Sequence, residues 1–591
     1  KDFIPNEGRG EDYRLEANKL IKFYSDSASI MDSTEDVLSS DVGSRLKLVA
    51  VLLQLGGSFA TAIINTVSMV THTIPYLGTY NKSRGYGGGF GIVQSAAEMT
   101  KAVSNSWRGG LANYENIYEL AKGENKDALQ QQNGISQDEA DALLDATGAG
   151  VLQAAQFNAL VGTSRGGRAS NSYNGAIKLW MSMFSYTEQL NRRSTFLAAY
   201  RLERERILAN NNFGGLENLN ANLPEEAAFV QQQAIEFATK AVNTSQGEYA
   251  MYNRPEMARG NVAQYIFMYK QFVIISVQLM KGLDRNGRLY FLGLLFIMSG
   301  MKGLPFAEDL TDLIDTLAQK FGIRMSSVET EVAKLVDAVI PGASPVVMRG
   351  ILDPMLGATI STRLGFGDLL PLTGTFQAKN NSGEYWQEAK NFMGPVFSGI
   401  SGLFGTGAQV ARYGAEVIGL KDDTTRFRDI LRDVPSSAVR GLFDGMSYLE
   451  DGRITRADGT VLDKDVGGWT VFWRMLGFYP YSVSVQNDLI RQSRQTQAYV
   501  KSLKAHYTQA YVKARLDNNR GEMRRVLGFV KEWNKDVGRD SEFFFKNFLQ
   551  SANKSYKSAS LGSVARFKKF APKQSRSSID ELAEIWGVEI D

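Results

Sequence analysis

Gly303 to Leu317 reads GLPFAEDLTDLIDTL, and this stretch decides the class of the fold. Leu310, Leu313, Ile314, Leu317 and Phe321 recur at the spacing of one apolar helical face, while Asp309, Asp312 and Asp315 line the others. Pro305 suits a first turn that donates no hydrogen bond, and Glu308 and Asp309 sit where the positive end of the helix dipole favours carboxylates. Upstream, Leu289 to Met301 is apolar and carries no charge. The chain is therefore expected to pass from a greasy helix through Gly-Leu-Pro into an acidic amphipathic one.

Working outward, helical patterning dominates. Leu48 to Asn81 contains no Lys, Arg, Asp or Glu over 34 residues, long enough to cross a bilayer that needs about 20 apolar residues. Gln54, Ser58, Thr61, Asn65, Thr66, Ser68 and Thr71 recur through it and Gly56-Gly57 interrupts it, so a buried helix pair is the favoured reading and membrane insertion the other. His72, near its end, reads as a packed or capping histidine. Gly85 to Gly91 (GYGGGFG) reads as a flexible loop, because it lacks the GxxxxGK[ST] spacing of a phosphate cradle. Ser136 and Glu139 form a capping box behind the exposed linker GENKDALQQQNG. Trp180 to Leu208 predicts a long helix, supported by Glu188 and Arg192 at i, i+4 and anchored by Phe184, Phe196, Leu197 and Tyr200; its charged end reads as a solvated face.

Glycine and proline punctuate Ile340 to Pro371, and Asn391 to Ala411 is an uncharged stretch of small residues suited to close helix approach, an interfacial role or a pore lining. The β signal is Arg453 to Leu462, where Asp458-Gly459 joins two short apolar runs as a hairpin. Asp451, Asp463 and Asp465 do not match a calcium loop. Near the C-terminus Tyr499, Leu503, Tyr507, Ala510, Tyr511 and Ala514 make one helical stripe, DNNRG (Asp517 to Gly521) a turn, and Met523 to Trp533 a returning helix. Between Phe543 and Ile579 stand Lys546, Lys554, Lys557, Arg566, Lys568, Lys569, Lys573 and Arg576 with no acid, interleaved with Phe543, Phe544, Phe545, Phe548, Tyr556, Phe567 and Phe570. Such a segment suits nucleic-acid phosphates or anionic lipid heads; the bland reading is a solvated basic tail. Lys554, Lys557, Arg566, Lys568, Lys569, Lys573 and Arg576 are the candidate contacts.

Composition bounds the chemistry. The 591 residues are 43% hydrophobic, with a net charge of +3, no cysteine and two histidines, His72 and His506. Disulfides and thiolate metal sites are excluded, and zinc centres and histidine triads are disfavoured. No catalytic, cofactor or metal site is predicted. The expected architecture is all-α, an extended multi-subdomain helical protein with a minor β-hairpin: residues 1–125 with the long uncharged helices, 126–260 helical, 261–480 central with the Gly/Pro-rich motifs and hairpin, and 481–591 the basic helical hairpin and tail. The start at Lys1, with no basic-then-apolar leader, reads as a processed or partial segment of a longer polypeptide.

Six pieces in order carry a resemblance: LQLGGSFATAIINTVSMVTHTIPYLGTY (Leu53 to Tyr80), FMYKQFVIISVQLMKGL (Phe267 to Leu283), the opening stretch, ISTRLGFGDLLP (Ile360 to Pro371), VPSSAVRGL (Val434 to Leu442) and WRMLGFYPYSVS (Trp473 to Ser484) before the basic hairpin. With these the chain resembles the C-terminal part of the large polyvalent proteins of tailed phages, of PLxRG type, which include internal virion and ejection proteins. The resemblance implies a protein packaged in the capsid interior and ejected into the host cell envelope. There it would form a homo-oligomer and meet other ejection or portal proteins, phage DNA and the host inner membrane or periplasmic envelope. A disulfide-free chain of local helical contacts would have low contact order and refold quickly after a narrow channel. The family's pattern is one of scaffold motifs, so no active site is carried over. The alternatives are a segment of a virion-packaged enzyme (RNA polymerase or cell-wall lytic protein) and a passive capsid core protein.

Overall fold

The computed structural model describes residues 52, 56–79, 91–108, 134–152, 180–211, 213, 219–220, 222–247, 271–307, 310–311, 313–315, 328–361, 364, 436–455, 460–539, 541, 543–560 and 573–585. Of these 79% are helical, with a few short strands in two small sheets, so the protein is mostly all-α. The Gly85 to Phe90 loop, the linker before Gly134, Asp458-Gly459 and Asn391 to Ala411 lie outside the described residues. By contacts the chain divides into two units, residues 1–314 with 329–484, and 315–328 with 485–591.

The first unit is organised by one central helix. In chain order it contains α1 (Phe59–Ser68), a π-helical turn (Met69–Thr73), α2 (Ile74–Gly78), α3 (Ile92–Arg108), α4 (Gln137–Gly148), α5 (Ser182–Asn210), α6 (Pro224–Ser245), α7 (Gln271–Gly282) and α8 (Arg285–Ser299). Helix α5 packs against α1, α3, α4 and α6, and every residue from Leu190 to Glu203 is buried. Such burial normally belongs to a helix that is apolar all round, yet α5 carries Asn191, Arg192, Arg193, Arg201 and Glu203. Partners offset much of their desolvation: Arg192 donates to the carbonyls of Val151 (3.0 Å) and Gly247 (2.5 Å), and Asn191 donates to that of Asn65 (2.7 Å).

The charged end of α5 departs from expectation in part, because Arg201 and Glu203 are buried while Glu205 is exposed. Arg201 grips Glu139 through Nε (2.9 Å) and Nη2 (2.8 Å) and reaches Glu98 of α3 (3.2 Å). Glu139 also closes the capping box of α4, accepting from the backbone N–H of Ser136 (3.2 Å), whose Oγ accepts from the N–H of Glu139 (3.4 Å). Burial works against the Arg201 charge, but the hydrogen bonds and charges of Glu139 and Glu98 raise its pKa above the usual value. The Glu188–Arg192 pair is likewise inside, at 3.6 Å, and not on a solvated face.

Most of the described part of the uncharged Leu48–Asn81 span is one α–π–α rod from Phe59 to Gly78, which starts at an exposed Phe59 and from Val67 onward enters this core. Among the described residues no helix is long and apolar enough to cross a membrane. The contacts of the rod are far from local: His72 meets Ser276, 204 residues away, and Thr73 meets Thr195, 122 residues away. Such pairs require distant stretches of chain to come together before this core can close.

Two helix ends cross beyond α8. After a 3-10 turn (Met301–Gly303) come α9 (Val328–Val339), α10 (Ser344–Arg349), α11 (Leu352–Leu356) and β1 (Ala358–Thr359). Gly300 (φ 65°) ends α8 and Gly350 (φ 77°) ends α10, and a Cβ on Gly350 would lie 2.3 Å from the backbone of Met298. Only glycine allows that approach, which Ile351 secures by donating to the Ile297 carbonyl at 2.9 Å. The Gly303–Leu317 stretch begins its helical turn only at Ala307, after Phe306 at φ 62°, and not at Pro305. Its predicted apolar face is not buried: Leu310, Leu313 and Ile314 are exposed while Thr311 points inward. Glu308, Asp309, Asp312, Leu317 and Phe321 lie outside the described residues.

The unit closes with α12 (Ser437–Asp451), β2 (Ile454–Thr455), β3 (Val461–Asp463), α13 (Gly468–Met475) and β4 (Tyr479–Pro480). The expected hairpin is present as the antiparallel β2–β3 pair, and β1 pairs with β4, a long-range ladder that short-range patterning does not reveal. Gly441 and Gly445 let α12 press on α13, where a Cβ would meet the Arg474 carbonyl at 2.8 Å or Met475 Cγ at 2.5 Å. Arg474, buried, pairs with Asp444 and lies over the Tyr479 ring at 4.3 Å.

The second unit contains α14 (Tyr481–Leu516, from Val485 on), α15 (Arg520–Val537), α16 (Phe548–Ala559) and α17 (Lys573–Ile585). The predicted αα-hairpin is there: Asn518 takes φ 54° in the turn, and the Asn519 side chain caps α15 by accepting from the Glu522 N–H at 3.0 Å. Val500, Tyr511, Val526, Val530, Trp533, Phe545, Phe548 and Ala552 form its core. This core closes within Val500 to Ala552.

Candidate nucleic-acid interface

Helix α16 carries two of the predicted contacts, Lys554 and Lys557, both exposed. Lys573 and Arg576 lie on α17, with Arg576 exposed; Arg566, Lys568 and Lys569 fall outside the described residues. Three of the interleaved aromatics take a different role from the one expected, and Phe567 and Phe570 lie outside the described residues. Phe545 and Phe548 are buried and Phe543 packs against the same core, so they hold α16 on α14 and α15 and present no stacking face. The reason is area: burying a phenyl ring stabilises by roughly 1.5–3 kcal/mol, which a solvated tail would forgo. Trp533 Nε1 donates to the Phe543 carbonyl (3.1 Å), and Asn534 Oδ1 accepts from the Phe545 N–H (2.8 Å), which fixes the entry into α16. Tyr556 lies beneath the Arg515 guanidinium at 4.1 Å.

Helices α14 and α16 bound an open groove of about 620 Å³. From α14 come Lys501, Lys504, Gln509 and Lys513, and from α16 Ser551 and Ser555; Asp517 stands at one end. These lysines lie in an acid-free run of their own, Leu489 to Leu516, which carries six Lys and Arg and falls outside the Phe543 to Ile579 window. On α14 Lys501, Lys504 and Thr508 fall on one side, away from the aromatic stripe that packs inward, while Lys513 reaches the groove from the other flank of the helix. Among the described residues no carboxylate pairs with Lys501, Lys504 or Lys513. Charge is unevenly distributed along the sequence. Residues 485–591 hold twenty Lys and Arg against twelve Asp and Glu, a net of +8, which leaves −5 for residues 1–484.

The first unit holds a Ser–His contact, His72 Nε2 to Ser276 Oγ at 2.6 Å. Its surroundings are those of a packed side chain, as the sequence suggests. His72 is wholly buried, Nδ1 meets the Thr71 hydroxyl at 2.9 Å, and Phe291 stands edge-on at 5.5 Å. Burial lowers its pKa to about 4, opposed by a hydrogen bond with the Ser68 backbone. A base so weak and so enclosed has neither the proton affinity nor the access that nucleophile activation needs.

No family model, curated protein or solved structure matches this chain. The geometry of the basic unit, with the ordered motifs of the sequence, is therefore what supports a functional reading.

Proposed function

We propose that this chain is an internal virion protein of a tailed phage, carried in the capsid interior, ejected into the host cell envelope, and assembled there as a homo-oligomer in part of a genome-delivery conduit. Its partners in this reading are other ejection or portal proteins, phage DNA and the host inner membrane or periplasmic envelope. The observation that carries it is the ordered set of six motifs between Leu53 and Ser484 followed by a basic helical hairpin. Two features of the molecule support it. Positive charge is concentrated in the C-terminal unit, where a polyanion is to be met. The first unit exposes large apolar side chains, among them Leu335 at 69%, Val339 at 80%, Met355 at 68% and Leu449 at 61%, which a homo-oligomer would cover.

The test is location. The protein is expected in intact capsids before infection and in host envelope fractions afterwards, with a mass in detergent of several copies. Absence from capsids refutes the reading; retention in emptied capsids makes the protein a passive core component.

A further inference from the structure

We infer that the groove between α14 and α16 binds the phosphodiester backbone of a nucleic-acid strand. The inference takes from the proposed function only the premise that the C-terminal unit meets a polyanion. Lys501 and Lys513 are separated by about 18 Å along α14 at 1.5 Å per residue, with Lys504 between them. That length matches about five phosphates of a stacked strand at 3.4 Å each. Across the groove the Ser551 and Ser555 hydroxyls make no hydrogen bond among the described residues, so both are available to donate to phosphate oxygens. Lysine supplies point charges without the planar fork that reads a base edge, so the groove should bind with little sequence preference.

A lipid surface fits less well. Interfacial helices lay a continuous apolar face on the bilayer, whereas Tyr511, Phe545 and Phe548 are turned into the core and the exposed large apolar residues among those described, Leu489, Leu516, Phe529, Leu549 and Ile585, are spread over four helices. The cations line a concavity, which a strand can enter and a flat membrane cannot.

The experiment measures binding of the full chain to a labelled oligothymidylate, to the corresponding duplex and to phosphatidylglycerol vesicles across a salt series. The variant Lys501→Ala/Lys504→Ala/Lys513→Ala should weaken oligonucleotide binding by roughly tenfold or more at low salt and reduce the slope of log affinity on log salt by about two, for three contacts at about 0.7 each. A second variant, Ser551→Phe/Ser555→Phe, fills the groove without changing charge and should also weaken binding. Circular dichroism of both variants should match wild type, since the substituted side chains are not core. The single-strand and duplex arms identify which form enters. If wild type binds DNA and both groove variants bind equally well, the inference is overturned and a polyanion site elsewhere on the unit remains. Loss in the lysine variant with none in the serine variant places the strand on the surface and also overturns it. Binding to vesicles alone overturns it in favour of a membrane contact, and binding to neither ligand removes the premise as well.

Discussion

Lowering the pH from 7.5 to 5.0 should weaken the first unit through His72. In the folded chain the ring is held neutral with a pKa of about 4, against 6.5 when exposed. Because the folded value is depressed, the unfolded chain takes up a proton first. The stability contributed by the neutral ring is complete above pH 6.5 and is lost as pH falls towards 4. The whole window corresponds to about 3.4 kcal/mol at 1.36 kcal/mol per unit, and at pH 5.0 about 2 kcal/mol of it is gone. His72→Gln retains a hydrogen-bonding side chain for Ser276 and cannot titrate, so its stability difference between the two pH values isolates every other group. Urea unfolding of wild type and variant at both pH values should show wild type losing about 2 kcal/mol more than the variant. The chain has two histidines, so selective labelling gives two imidazole signals to follow by NMR, and His72→Gln assigns them. Equal pH losses in the two proteins, or a His72 signal titrating near 6.5 in the folded chain, would refute the reasoning.

Three further outcomes follow from the packing. Gly350→Ala places a Cβ against the Met298 backbone at a glycine-only conformation and should cost about 3 kcal/mol or more, whereas Gly452→Ala, left-handed but in open space, should cost about 1 kcal/mol; urea midpoints compare them. Arg201→Met leaves Glu98 with Lys101 and Glu139 with Arg204 as their remaining cations and should cost about 3 kcal/mol, with a partial rescue when Glu139→Gln is added, measured as a double-mutant cycle. In refolding from denaturant, amides of α14 to α16 should gain protection from hydrogen exchange before those of α1 and α5, because the core of the second unit closes within its own stretch of chain; simultaneous protection would contradict this.

The helical class, the β2–β3 hairpin, the α4 capping box and the α14–α15 turn were legible because each is a local pattern: a period, a dipeptide or a cap. The surroundings of α5 were not. Its Arg and Glu residues have the composition of a solvated face, and their burial depends on carboxylates and carbonyls supplied by Glu98, Glu139, Val151 and Gly247. Nor does periodicity say which side of Leu310, Leu313 and Ile314 meets a core, since an apolar stripe reads the same whether or not the molecule covers it. At the candidate site, an acid-free window singled out Lys554 and Lys557, both exposed as expected. It also credited Phe543, Phe545 and Phe548 with surface contacts, although beside an αα-hairpin they complete a small core.

The two units treat charge in opposite ways, and this bears on how each could work. The first takes arginines into its interior and spends hydrogen-bonding groups on them: Arg192 is 2% exposed and Arg474 3%. A buried ion pair adds little net stability compared with an apolar replacement, but an unmatched one is costly, so such pairs penalise any misregistered packing of the helices. The second unit holds its helices with aromatics and, among the described residues, leaves Lys501, Lys504 and Lys513 without a carboxylate partner on a groove wall. Those lysines repel one another, and an anion that relieved the repulsion would gain affinity without any rearrangement of the core. Charge buried in the first unit thus fixes packing, and charge kept outside in the second remains available to a ligand.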